Sequence, residues 1–157
     1  MYSASPALFT FLKLLPSWEF YAISAPGISG GLLSAWNPLK ENCRAFQTCV
    51  GILLQASIRV LPDPLHILNV YGPYREREFF WNKALRGGLL NLPSLVLGGD
   101  LNLTLHSSEI WDSKATLDPL SDHFISLFET AGLVDVAPLV TGPTWRNRRV
   151  GDEGISK

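Results

Sequence analysis

The sequence predicts a globular domain of mixed α and β structure, with strand hairpins and helices packed in layers. Apolar and polar residues alternate over residues 52–60, and an apolar run over residues 65–71 follows a Pro-Asp-Pro turn, which together indicate a β-hairpin. Residues 118–132 instead carry apolar side chains at helical spacing. Hydrophobic residues make up 46% of the chain and charged residues 17%, a balance typical of one domain with a buried core.

The first part of the chain is predicted to form a helix and then two strands. Ser5 followed by Pro6 begins the helix, because serine caps a helix N-terminus and proline fits the first helical position. Strands are predicted over residues 18–24 and 32–36, joined by a turn at residues 27–31. The glycines of this turn match neither the dinucleotide-binding fingerprint nor the P-loop, so turn geometry explains them.

The second part is predicted to contain two helices, a buried strand and a final strand. Helical character extends over residues 74–90, and the second helix over residues 118–132 ends at a glycine. The short apolar run at residues 94–97 predicts a strand buried on both faces and ended by two glycines. Residues 144–146 begin the last predicted strand.

Two polar residues, Asp100 and Asn102, follow the apolar run at residues 94–97. In an extended chain this spacing points both side chains to the same side. Gly98 and Gly99 have no Cβ, so a ligand or another backbone can approach the strand end closely. The pattern suits a site for a water, a phosphate or a hydrated metal. The alternative is a strand followed by an Asx-type turn, since Asp and Asn both favour turns.

Charge and cysteine content limit the cofactors and partners. The net charge of −1 gives no overall basic field to attract nucleic acid. The alternative is a basic groove confined to one part of the surface. Cys43 and Cys49 form no CxxC pair, and no histidine cluster accompanies them, which argues against zinc. His66 and His106 have no partner pattern, and we predict them at the surface of a strand or loop.

The sequence shows no segment that predicts membrane insertion or secretion. No apolar run reaches membrane-spanning length. The apolar residues 1–15 lack a basic leading region and include a lysine, so we interpret them as a helix and not as a signal peptide. We therefore expect no membrane partner, and a nuclear or cytoplasmic location in preference to secretion.

Seven short motifs, in chain order, resemble the endonuclease/exonuclease/phosphatase superfamily, and most of all the endonuclease domain of plant non-LTR (LINE-type) retrotransposons. They are GISGGL at residues 27–32, WNP at 36–38, NVYGP at 69–73, REFFW at 77–81, GDLN at 99–102, GLVDV at 132–136 and PTW at 143–145. Each motif alone is weak evidence for the family, but seven motifs in this order make the resemblance specific.

The resemblance implies a fold, an activity and three site residues. The fold is an incomplete four-layer sandwich, with two stacked, mostly antiparallel sheets flanked by helices, in one domain over residues 1–157. The activity is Mg²⁺-dependent hydrolysis of phosphodiesters, with DNA as a partner. By this resemblance Tyr71 contacts the scissile phosphate, Asp100 orients or deprotonates the attacking water, and Asn102 hydrogen-bonds the phosphate and the nucleophile.

The chain also departs from the family pattern. The metal-binding glutamate and the asparagine of the family's first two strands have no counterpart, and Glu19 falls in the wrong motif. The family's terminal Ser-Asp-His is also missing. Residues 121–123 have the same three residues, but they lie ahead of the PTW motif and not after it, and they are predicted to start a helix. We therefore expect a truncated domain with weak Mg²⁺ binding and little or no activity. The alternatives are a phosphatase of the same superfamily, a non-catalytic binding module, or a retrotransposon remnant.

Overall fold

The computed structural model describes residues 16–24, 31–111, 116–136 and 142. These residues form six strands, two α-helices and two short 3₁₀ turns. The strands are β1 (Glu19–Ser24), β2 (Gly31–Trp36), β3 (Asn42–Gln47), β4 (Gly51–Ser57), β5 (Leu65–Tyr71) and β6 (Leu95–Asp100). The helices are α1 (Arg77–Arg86) and α2 (Ser121–Thr130), and the 3₁₀ turns are Leu89–Asn91 and Ser107–Glu109.

The described strands form two sheets. Strands β1 and β2 pair as an antiparallel hairpin, and the second sheet has the order β3-β4-β5-β6. Within this second sheet β3, β4 and β5 are antiparallel neighbours, whereas β5 and β6 are parallel. A parallel pair needs a crossover between its strands, and α1 lies in this crossover. The predicted fold class, two mostly antiparallel sheets with helices, is confirmed.

One face of the four-stranded sheet packs against the helices. The core on this side is built from β5, from both helices and from the turns beside them: Val50, Leu68, Val70, Trp81, Ala84, Leu90, Phe124, Leu127 and Phe128. The rings of Trp81 and Phe128 meet edge to face, with their centroids 5.3 Å apart, so α1 and α2 contact each other through aromatic side chains. Each large apolar side chain buried here stabilises the fold by about 1.5–3 kcal/mol.

The opposite face of the sheet is covered by the β1–β2 hairpin. Ile52 and Leu54 point to this face and are buried. Asn69, the register partner of Ile52, donates hydrogen bonds through Nδ2 to the carbonyl oxygen of Leu33 and to Oγ of Ser34, each 3.1 Å long. These bonds tie the two sheets together. Strand β4 is therefore covered on both faces, and the prediction of a single buried face was wrong because the hairpin covers the second one.

Most predicted elements are present with small changes in length. The strands over residues 18–24, 32–36 and 65–71 are confirmed, whereas the strand predicted over 52–60 ends at Ser57. Both helices are shorter than predicted. Strand β3 was not predicted. The helix after Ser5, most of the turn at 27–31 and the strand at 144–146 lie outside the described residues.

Strand β6 differs from its prediction in two ways. Within the described residues it pairs only with β5, and Val96 is 51% exposed, so the prediction of burial on both faces was wrong. Only Leu95 and Leu97 pack against the helix-side core. The two glycines also do not end the strand, which continues to Asp100.

Two glycines allow the ends of β5 and β6 to lie close together. Gly99 has φ 125°, and a Cβ built there would lie 2.1 Å from the carbonyl oxygen of Val70. A Cβ on Gly72 would lie 2.0 Å from the carbonyl oxygen of Leu101. The sequence suggested that either a ligand or another backbone could approach the strand end. In the structure it is the backbone of Val70 that comes close to Gly99. Gly98 differs, because a Cβ there would meet nothing within 4 Å.

Within the part of the chain that the structure describes, we find no helix with the length and apolar character needed to cross a bilayer.

We expect Gly99→Ala to lower the free energy of unfolding by about 2–4 kcal/mol, through backbone strain and the clash with Val70. Gly98→Ala is the matched control, because it adds the same methyl group one residue earlier in open space, and should change stability by less than about 1 kcal/mol. Urea denaturation of both variants measures the difference. Equal stability of the two variants would contradict the close approach at Gly99.

Candidate functional site

Tyr71 and Asp100 lie side by side at the carboxyl ends of β5 and β6. They are the last residues of these two parallel strands and are register partners, so their side chains leave the same face of the sheet. Asp100 is exposed, and Tyr71 is 50% exposed. A phenol and a carboxylate therefore stand next to each other at an open edge.

Asn102 joins this edge through a turn. Its backbone has φ 51°, in the left-handed region, so the chain is not extended after Asp100 and the predicted extended spacing was wrong. The Asn102 N–H donates to Oδ1 of Asp100 at 3.3 Å, which is the Asx-type turn offered as the alternative. Its side-chain Nδ2 donates to the carbonyl oxygen of Gly72 at 2.5 Å. We call Tyr71, Asp100 and Asn102 the strand-end site.

Tyr74 is a further polar group beside the strand-end site that sequence reasoning did not select. Slight desolvation raises the pKa of its hydroxyl, and the neighbouring Tyr71 hydroxyl and Asp100 carboxylate raise it further. The Tyr74 phenol therefore stays protonated, and able to donate a hydrogen bond, to higher pH than an isolated tyrosine. Its place in the helix-like stretch at 74–90 concealed it, since α1 begins only at Arg77.

Arg77 holds the loop after β6 in place. Its guanidinium forms a two-point ion pair with Asp118, in which Nη2 donates to Oδ1 at 2.9 Å and Nη1 donates to Oδ2. Nη1 also donates to the backbone carbonyl of Asn102 at 3.2 Å. The guanidinium carbon lies 5.5 Å from the centre of the Phe124 ring, within the range of a cation–π contact. Arg77 thus connects α1, the Asn102 turn and the start of α2.

Asp118 is the buried partner in this ion pair, with a side chain only 6% exposed. Burial alone opposes its ionisation. Hydrogen bonds from Arg77 and from the backbone N–H groups of Leu120 and Thr104, together with the guanidinium charge, outweigh burial and lower the pKa of Asp118 below its ordinary value. The carboxylate is therefore the favoured form in the folded chain, and it fixes the segment before α2 to residues that follow β6.

The tripeptide Ser121-Asp122-His123 begins α2, as predicted. Asp122 lies in the first turn, where a negative charge is favourable. His66, by contrast, was predicted at the surface and is only 8% exposed. The surface prediction was wrong because His66 faces the helix side of the sheet, where its Nδ1 lies 2.7 Å from the carbonyl oxygen of Pro93.

His106 lies near two carboxylates, those of Glu109 and Asp135. One ligand-type atom from each of His106, Glu109 and Asp135 lies within 4.8 Å of the others. Glu109 is held in place because its carboxylate oxygens accept from the backbone N–H groups of His106 and Leu105, at 3.0 and 3.2 Å. The prediction of His106 at the surface of a loop is confirmed, since it is exposed in the loop after β6. Asp135 lies beyond α2 in the chain, so no sequence pattern pairs it with His106 and only the fold brings it near.

Comparison with known proteins gives a likeness at the level of the fold. No protein-family model matches the sequence, and no curated protein matches it significantly. Among solved structures, the endonuclease domain of TRAS1, a telomere-specific non-LTR retrotransposon, superposes with a TM-score of 0.64 over 90% of this chain, at 19% sequence identity. This chain has an endonuclease-like fold. The match spans 64% of the length of the TRAS1 domain. The resemblance predicted from the motifs is confirmed at the level of the fold.

We expect Asp118→Asn to lower the free energy of unfolding by about 3 kcal/mol at neutral pH, because Arg77 keeps a largely buried charge without its partner. Because the pKa of Asp118 is lowered in the folded chain, the stability it contributes is present above its unfolded pKa of about 4 and is lost as pH falls through its folded pKa. The difference between wild type and variant should therefore shrink below about pH 4.

Asp122→Asn is the matched control for this experiment. Asp122 is exposed in the first turn of α2, so the same change there should cost less than about 1 kcal/mol. Chemical denaturation of both variants between neutral pH and pH 3 gives the comparison. A difference between wild type and Asp118→Asn that does not depend on pH would contradict the ionised pair.

Proposed function

We propose that this chain is a phosphodiesterase domain that acts on DNA as an endonuclease, with weak activity. The observation that carries this proposal is the pairing of Tyr71 with Asp100 at an exposed strand end, with Asn102 hydrogen-bonded to Asp100 and to Gly72, the residue after β5. The likeness of the fold to the TRAS1 endonuclease domain supports it. The NVYGP and GDLN motifs contain these three residues in the order that the resemblance implies.

Each residue of the strand-end site has a chemical role in this proposal. The Asp100 carboxylate orients a water and accepts its proton as the water oxygen attacks phosphorus. The P–O bond to one sugar breaks as the new P–O bond forms, and the departing sugar oxygen takes a proton from solvent. The Tyr71 hydroxyl donates a hydrogen bond to a phosphate oxygen and stabilises the negative charge that develops there. A primary amide has two N–H donors, and Asn102 uses one on Gly72, so its second can bond the phosphate.

Magnesium is the ion that the resemblance implies, but the described residues do not fit it by themselves. Asp100 is the one carboxylate that they bring to the strand-end site, and the single described group of three metal-ligating side chains does not include it. Protein Mg²⁺ sites commonly use one or two carboxylates together with substrate phosphates. Asp100 alone is the smallest such donor set, and for this reason the proposed activity is weak. The roles above require only the residues of the chain.

DNA is the proposed substrate in spite of the net charge of −1. Arg77 is occupied by Asp118, so it contributes little positive charge to the surface. Arg75 is exposed in the segment between β5 and α1, next to Tyr74 in the chain, and is the cation that we propose meets a phosphate. Binding through so few cations should be weak, and it should depend only modestly on salt concentration, because the salt dependence scales with the number of phosphate contacts.

Nicking of supercoiled plasmid DNA tests this proposal. We expect slow nicking by the wild-type chain in the presence of Mg²⁺, and a loss of about 100-fold or more in Asp100→Asn, because the general base is removed. Asparagine is nearly isosteric with aspartate and can still accept the Asn102 N–H, so folding should be preserved. Tyr71→Phe should reduce nicking by about tenfold, the effect of one lost hydrogen bond in the transition state.

Asp122→Asn serves as the control for charge, since Asp122 is exposed on α2 and lies outside the strand-end site. Its nicking rate should equal that of wild type. Nicking that persists unchanged in Asp100→Asn would contradict the proposal. DNA binding without nicking would favour the binding module, and release of phosphate from phosphomonoesters without nicking would favour the phosphatase.

A further inference from the structure

We propose that His106, Glu109 and Asp135 form a second site, which binds a divalent transition-metal ion of the Zn²⁺ type. The site is separate from the strand-end site and does not rest on the proposed function. Its three ligand-type atoms, within 4.8 Å of one another, come from two segments, the 3₁₀ turn after β6 and the chain after α2. Asp135 belongs to the GLVDV motif at residues 132–136, but nothing in the sequence indicated that it lies near His106 and Glu109.

The donor set decides which ion the site favours. One imidazole nitrogen and two carboxylates suit Zn²⁺ and its neighbours in the transition series, whereas Mg²⁺ prefers oxygen donors alone. Three protein ligands also leave a coordination position open for water. The ion expected here therefore differs from the magnesium that the resemblance implies.

The geometry requires only a small contraction. At metal–ligand distances of about 2.1 Å, two ligands of one ion are about 3–4 Å apart, so the cluster must close by roughly 1 Å. His106 and Asp135 are exposed, and the His106 side chain also faces the backbone N–H of Glu109 in a capping box at the start of the 3₁₀ turn. Glu109 is already positioned by two backbone N–H groups. Each of its oxygens keeps a further lone pair for the ion, since a carboxylate has about four acceptor positions.

A metal at this site would act as a crosslink. It would join the turn after β6 to the segment that leaves α2, two parts of the chain separated by the whole of that helix. An ion that binds only the folded chain raises its stability, and the increase grows with ion concentration. The readout is therefore binding and thermal stability, which are independent of nuclease activity.

The two cysteines are the main alternative ligands for Zn²⁺ in this chain. Their surroundings show how zinc binding by cysteine can be told apart from binding at the proposed site. Burial raises the pKa of the Cys43 thiol, and the charges of Glu41 and Glu19 raise it further, so Cys43 is a poor thiolate donor. Cys49 is exposed, and Cys49→Ser removes it from the comparison without touching the proposed ligands.

Calorimetric titration of the untagged chain with Zn²⁺ tests the proposal. We expect one ion per chain, little competition from excess Mg²⁺, and a rise in Tm with Zn²⁺. His106→Gln and Asp135→Asn should each weaken Zn²⁺ binding by at least about tenfold, as expected when a ligand is lost. Cys49→Ser and Asp63→Asn, which changes an exposed aspartate in a distant turn, should bind Zn²⁺ like wild type.

A second measurement on the wild-type chain avoids any folding defect in the variants. In ¹⁵N-imidazole NMR spectra, Zn²⁺ should shift the ring nitrogens of His106 and leave those of His66 and His123 unchanged. The proposal fails if Zn²⁺ produces no heat and no change in Tm, if His106→Gln binds Zn²⁺ as tightly as wild type, or if Mg²⁺ displaces Zn²⁺ at equal concentration.

Discussion

The ion pair between Arg77 and Asp118 is the interaction on which the arrangement of the site depends. Removing two charges from water is costly, and the cost is recovered only where geometry and additional hydrogen bonds are good. Here the guanidinium meets the carboxylate at two points, and backbone N–H groups satisfy the remaining acceptor positions of Asp118. The same guanidinium bonds the carbonyl of Asn102. A single arginine therefore fixes the turn that carries one of the three proposed functional side chains.

The strand-end site combines a rigid base with exposed reactive groups. Below it, Gly99 and Gly72 allow two backbones to approach so closely that a Cβ cannot be added without a clash. The Gly72 N–H donates to the carbonyl of Asp100 at 2.7 Å, and the Asn102 side chain donates to the carbonyl of Gly72. Backbone contacts therefore hold Asp100 in position, while its carboxylate remains accessible. Under the proposed function, such an arrangement would limit the freedom of these side chains before a substrate arrives.

The sequence predicted the features that depend on local pattern. The bounds of β5 were predicted correctly because seven apolar-rich residues stand between a proline turn and Gly72. Strand β3 was missed because its inward residues, Cys43 and Ala45, are small and give weak alternation. The partly exposed position of β6 depends on which strands surround it, and no run of apolar residues specifies its neighbours.

The candidate functional residues divide in the same way, into those placed by local sequence pattern and those placed by contacts between distant segments. Tyr71 and Asp100 end their strands, so their proximity follows from strand order and parallel pairing. The contacts of Arg77 with Asp118, and of His106 with Asp135, join segments far apart in the chain, and spacing along the sequence gives no sign of them. The burial of His66 likewise depends on which face of β5 the helices cover.

The register of β4 against β5 has a practical consequence. Gly51 pairs with Val70, so the turn that precedes β4 lies at the same end of the sheet as Tyr71. Cys49 is exposed in that turn. A thiol-reactive fluorophore would modify Cys49 in preference to the half-buried, less acidic Cys43. The dye would then stand close to the strand-end site without altering its residues, and a change in its emission would report any ligand that arrives there.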